Sequence, residues 1–173
     1  MAGLLGALHQ ASLWCARLEN HATLAALLAK PAYVGRDAEL LLPALSGRLP
    51  VGDGAVQAVG DFFVPNAKAA TFPWKSHALW FYTQMVRWRQ VGHTAGRQRI
   101  AAETYRPDIY RAALKDLGIA MPSASAKVEG ALTAATPVGS SGALTLGPDG
   151  FFDGGRFDPD DVAAYIAAQT DGA

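Results

Sequence analysis

The sequence predicts a predominantly α-helical segment with few short strands, and three observations carry that reading. Residues 71–91, TFPWKSHALWFYTQMVRWRQV, have the spacing of a helix that is apolar on nearly every side. Shorter apolar runs of helical period, each bounded by start and stop residues, lie before and after it. Glycine and proline punctuation of the kind that brackets a short strand is confined largely to residues 48–68 and to a Ser/Ala/Thr/Gly-rich stretch beyond residue 121.

Leu4, Leu5, Leu8, Leu13, Trp14 and Leu18 mark an amphipathic opening helix, which Glu19, Asn20 and His21 interrupt. A second helix is expected through Leu24, Leu27 and Leu28 to Lys30, where Pro31 ends it by disfavouring helical geometry at the residue before it. A third runs from Asp37, an expected N-cap, to about Leu45, shortened or kinked by Pro43 and closed by Gly47. Residues 55–64 are expected to include a short strand among loops set by Pro50, Gly52, Gly54, Gly60 and Pro65.

In the long apolar helix Thr71 is expected to cap the first turn, with Pro73 tolerated there because its missing N–H has no partner inside the helix. The helix should then start near Phe72. Trp74, His77, Ala78, Phe81, Met85 and Trp88 recur on one face, Leu79, Tyr82 and Val86 fill a second, and only a strip with Lys75, Arg87 and Arg89 reads as wet. This helix is expected to be the most buried element, with Trp80 and Phe81 both enclosed although they point to different sides.

Gly92 and Gly96 flank the next junction, and helix resumes from Arg97 to Tyr105. Pro107 opens another helix to about Leu117, which Gly118 stops. Residues 123–146 read as a surface excursion. After the turn Asp153-Gly154-Gly155, Asp158 is expected to cap a closing helix through Val162, Tyr165 and Ile166, with Pro159 at its first position.

The chain of 173 residues is half hydrophobic with zero formal net charge, enough to bury a core and too apolar for global disorder. Its basic residues are dispersed, so direct nucleic-acid binding is not expected; Arg87, Arg89, Arg97 and Arg99 read as a solvated helical face. Cys15 is the only cysteine, which rules out an intrachain disulfide and leaves a cysteine-based zinc site nothing to build on. Met1 to Leu13 lacks the basic start and unbroken apolar run of a secretory signal, and no stretch is long enough to span a membrane.

His9, His21, His77 and His93 have no two-ligand spacing with acidic partners, and no HExxH, Walker A, GxGxxG or GxSxG pattern occurs. No nucleophile, base and oxyanion set can be assembled, so neither an enzyme nor a cofactor is expected. Asp149, Asp153, Asp158, Asp160 and Asp161 lack the ordered alternation and terminal glutamate of an EF-hand, and capping and solvation account for them. The candidates for ligand binding are Trp74, Lys75 and His77, since an ammonium, an imidazole and a helix N-terminus together offer donors to an anion. The competing reading has His77 packing inward and Lys75 reaching solvent. Residues 105–110, YRPDIY, can hold a partner through their aromatics and Arg106, or simply form a helix-to-helix corner.

FPWKSHALWFYTQMVRW at residues 72–88, YRPDIYRAALKDLGIAMP at 105–122 and GPDGFFDGGRFDPDDVAAYI at 147–166 resemble, in this order, the closing third of the nitrate- and bicarbonate-binding proteins of bacterial ABC importers. The opening LLGALHQASLWCARLENHATLAALLAKPAYVG is similar to the helical pair that precedes them, so the resemblance covers nearly the whole chain, most thinly at 48–68 and 123–146. It implies the C-terminal part of a two-lobe α/β fold like the type II periplasmic binding proteins, here a single C-terminal segment of a larger solute-binding domain. It also implies capture of nitrate, nitrite or bicarbonate and delivery to a membrane permease, without chemistry on the ligand. Most groups that touch the anion would lie in the N-terminal part, so no family ligand residue carries over to a position here. A cytoplasmic branch of the family senses nitrate and regulates an RNA-binding antiterminator partner. A leader upstream would imply a periplasmic or membrane-associated protein, and a leaderless start the cytoplasmic sensor.

Overall fold

The computed structural model describes residues 2–139 and 143–170. The chain divides into two compact units, Gly6–Thr71 and Phe72–Ala173, the latter together with Met1–Leu5. The expected character holds: helices dominate, and the strands are short.

The first unit is built on α1 (Ala2–Cys15) from Gly6 onward, α2 (His21–Leu28) and α3 (Ala38–Ser46), followed by a hairpin of β1 (Arg48–Pro50) and β2 (Val56–Ala58). Leu24 and Leu28 on α2, and Leu41 and Leu45 on α3, stand four residues apart, which puts each pair on one helix face. Those faces meet in a small core of Leu24, Ala25 and Leu45, flanked by Leu28, Leu41, Cys15 and Phe63. The helix α3 passes through Pro43 and stops at Gly47. There φ is +64° and a side-chain Cβ would stand 2.5 Å from the Val59 carbonyl oxygen, which leaves room for glycine alone. Asp37 holds the N-cap position but makes no side-chain capping bond. Two strands stand where one is expected. They pair antiparallel with Leu49 opposite Gln57, and β1 lies ahead of the 55–64 window.

The second unit contains α4 (Lys75–Arg87), α5 (Ala95–Thr104), α6 (Pro107–Leu114), the antiparallel pair β3 (Thr136–Val138) and β4 (Leu144–Leu146), and α7 (Val162–Thr170). Its core is Leu79 and Tyr82 of α4 against Phe157 and Val162, with Trp80, Val86, Tyr165 and Ile166 packed around them. Phe157 is fully buried, and its backbone exchanges two 2.9 Å hydrogen bonds with Glu129. Thr94 caps α5 by accepting from the Arg97 N–H at 3.1 Å. Pro107 occupies the first turn of α6, and Gly118 at φ +65° stops the turn that follows.

Three local expectations need correction. The helix α4 starts at Lys75, with extended Trp74 at the capping position, because Phe72 precedes a proline and the Lys75 N–H is taken by the Ser125 carbonyl at 2.9 Å. Its buried side is not the aromatic face: Ser76, Leu79 and Thr83 face inward with Tyr82, while Phe81 is 54% exposed and Met85 and Trp88 are exposed too. Both faces are apolar, so periodicity cannot choose between them. The Ser76 hydroxyl does, since it donates to Glu129 at 2.6 Å, while Thr83 satisfies its own hydroxyl on the Trp80 carbonyl of the same helix at 2.6 Å. Finally, α7 begins at Val162, capped by Asp161 accepting from the Ala164 N–H at 3.2 Å, while Asp158 accepts from the Asp160 N–H in the preceding turn.

Candidate functional site

A buried polar grouping of the second unit lies at the start of α4. Ser76 and His77 are in its first turn, and residues 125–132 run past them. Ser76 Oγ donates to Glu129 Oε1 at 2.6 Å and accepts from the Lys127 N–H at 3.3 Å. His77 Nε2 stands 3.4 Å from Glu129 Oε2. The Lys127 ammonium bridges Glu129 and Asp149, and Asp149 Oδ1 accepts from the Leu132 N–H at 2.9 Å.

Burial alone would push the Glu129 carboxyl above its ordinary range; hydrogen bonds from His77, Lys127 and Ser76 outweigh it and hold the group below that range. The group is thus an ionised carboxylate, 8% exposed, set beside the positive end of a helix. Against two carboxylates the grouping has one ammonium, and His77 adds a second cation only when protonated. Its donors are therefore engaged with its own acids.

The structure puts the three sequence candidates along the same segment and gives each a different role. Trp74 is buried, with its ring 5.9 Å from the Lys127 ammonium and edge-on to Phe72 at 4.8 Å. Lys75 uses its backbone N–H on Ser125 and keeps its side chain half-buried. His77, 42% exposed, turns its Nε2 to Glu129 rather than into an apolar core. Residues 105–110 form a corner: Arg106 donates to both oxygens of Asp108, at 2.9 and 2.6 Å, and that hydrogen bonding lowers the Asp108 pKa to about 2.

Sequence reading misses Lys127 and Glu129 because they lie in the stretch that reads as a surface excursion. The available signal is the K-V-E order at 127–129, which in extended backbone sends the two charges to one side. Asp149 is visible only as one of a set of dispersed aspartates. Among the described residues no three His, Cys, Asp or Glu side chains stand where they could hold a metal ion.

Two apolar hollows complete the unit. One of about 390 Å³ lies beside Trp74 and Lys127, walled by Pro122, Leu132 and Leu146. The other, about 410 Å³, is a groove between α4 and α5 lined by Phe81, Met85, Ile100, Ala101 and Tyr105.

No family model matches the chain. Its sequence is similar to the nitrate/nitrite binding protein NrtA of Synechococcus elongatus, 29% identical over 167 residues that cover 94% of this chain and 33% of that protein. It is 30% identical over 172 residues to the bicarbonate-binding protein CmpA of the same organism, covering 94% and 35%. A shorter stretch of 116 residues, 66% of this chain, is 28% identical to part of the nitrate import ATP-binding protein NrtC of Synechocystis. The fold matches the crystal structure of the periplasmic nitrate-binding protein NrtA from Synechocystis with a TM-score of 0.72 and 23% identity, over 97% of this chain and 40% of that one. The resemblance read from the sequence is borne out, and the chain spans about a third of the length of the curated relatives it matches.

Proposed function

We propose that this chain is the closing, C-terminal part of a solute-binding protein that captures a small inorganic anion, nitrate, nitrite or bicarbonate, and hands it to an ABC permease without chemistry on it. The observation that carries this reading is that the similarity runs through 94% of the chain in proteins named for binding those anions. The match to part of an import ATP-binding protein favours transport over the nitrate-sensing alternative. The structural relative is a periplasmic nitrate-binding protein, which supports that location, and among the described residues no helix is long and apolar enough to cross a membrane.

In this reading Ser76, His77, Lys127, Glu129 and Asp149 form a clamp that fixes the start of α4 on the segment beside it. Trp74, Lys75 and His77 then belong to scaffold, because the imidazole already faces a carboxylate that an incoming anion would have to displace. The anion cleft takes donors from two walls, of which this chain supplies at most one. The test is a chimera in which this chain replaces the matching part of Synechococcus elongatus NrtA. Calorimetric binding of nitrate or bicarbonate by the chimera is expected; a folded chimera that binds neither would overturn the proposal. The chain alone should bind weakly or not at all, and a low-micromolar dissociation constant, about −8 kcal/mol, would put the site within these residues.

A further inference from the structure

We infer that the groove between α4 and α5 is the seam on which the rest of the two-lobe body packs, an inference that rests on the functional reading above. One side of α4 is filled by Phe157, Val162 and α7. The opposite side opens into the groove, where Phe81 and Met85 of α4 and Ile100 of α5 are 54, 41 and 64% exposed. A helix apolar nearly all round is normally buried on every side, and here α5 covers the second side only in part.

What covers it follows from the match in fold. The solved relative takes up 97% of this chain with 40% of its own, so the larger part of that body lies outside the matched region and must pack against it. The groove suits a polypeptide better than a small solute. Its one charged lining residue, Arg97, already donates to the Gly92 carbonyl at 2.9 Å, and the other lining side chains offer apolar surface interrupted only by the hydroxyls of Tyr82, Thr104 and Tyr105. Apolar surface of this extent, with aromatic and branched side chains standing out of it, is what an interior seam looks like when its partner is removed. The occupant is therefore an apolar face of the remaining lobe polypeptide.

The test compares thiol labelling in the chain alone and in the chimera with NrtA, both carrying Cys15→Ala, with single reporters Phe81→Cys, Ile100→Cys and, outside the groove, the fully exposed Phe152→Cys. Labelling at positions 81 and 100 should slow at least tenfold in the chimera. Position 152 should react at the same rate in both. Equal rates at 81 and 100 in a chimera that melts cooperatively would overturn the seam. So would protection that is already present in the chain alone and rises with its concentration, because the occupant would then be a second copy. A chimera that protects the groove but binds neither nitrate nor bicarbonate keeps the seam and removes the functional reading; one that binds but leaves the groove open does the reverse.

Discussion

Truncating Phe157 and Phe81 to alanine, one at a time, tests which side of α4 holds the second unit together. Phe157 is fully buried against Leu79, Tyr82 and Val162, and its ring meets that of Tyr165 edge-on at 5.0 Å. Its removal loses the transfer free energy of a whole aromatic ring and opens a cavity that close-packed neighbours cannot fill, a cost of about 3–5 kcal/mol. The aromatic contact is part of that figure, at about 0.5–1.5 kcal/mol. Phe81 is 54% exposed, so less than half of its transfer term is at stake and solvent fills the space it leaves; about 1 kcal/mol or less is expected. Urea unfolding followed by tryptophan fluorescence measures both, because Trp80 stacks on Phe151 at 5.7 Å and donates to the Tyr165 hydroxyl at 3.1 Å within the same core. Losses within about 1 kcal/mol of each other would mean that α4 is rotated from the phase described, and would refute the assignment of its inner face.

Three further outcomes are expected. Because hydrogen bonds hold the Glu129 carboxyl below its ordinary range, it contributes stability that is present above the unfolded-state value and is lost as pH falls through the lower folded value; Glu129→Gln should flatten that acid limb in pH-dependent melts, and an unchanged limb would dismiss the clamp. Gly47→Ala should cost more than about 1 kcal/mol by urea unfolding, since its φ is +64° and the added methyl would sit 2.5 Å from a carbonyl oxygen; a neutral effect would contradict that turn. Asp161→Ala should cost about 1 kcal/mol as a lost cap while Asp158→Ala costs less, and the reverse order would restore the earlier helix start.

Local punctuation is legible in the sequence because its chemistry is local. Pro107, Gly47 and Gly118 each act on the backbone next to them, and the starts and stops they set stand where they are expected. The phase of α4 is not legible for the opposite reason: the group that settles it, Glu129, lies 53 residues beyond the Ser76 hydroxyl that it receives. The buried face carries Ser76, Thr83 and Gln84 beside Leu79 and Tyr82, and it is buried where the Ser76 hydroxyl meets Glu129, while Phe81, Met85 and Trp88 of the aromatic face stay exposed.

The same long-range partner decides how the polar residues at the start of α4 are to be read. A helix N-terminus, a half-exposed imidazole and a nearby lysine satisfy the general description of an anion site, and residues 74–77 alone leave that reading open beside the one in which His77 packs inward and Lys75 reaches solvent. The chain supplies its own anion: Glu129 receives Ser76, His77 and Lys127 together. An external anion of single charge would have to displace a tethered carboxylate that loses no translational freedom when it binds, so competition favours the internal group unless Glu129 itself moves away. Changing the equivalents of Lys75 and His77 to alanine in a complete nitrate-binding relative should accordingly leave nitrate affinity within tenfold, measured by calorimetry on a variant whose melt is unchanged. A larger loss would mean that the carboxylate does swing out and that the start of α4 lines the ligand site.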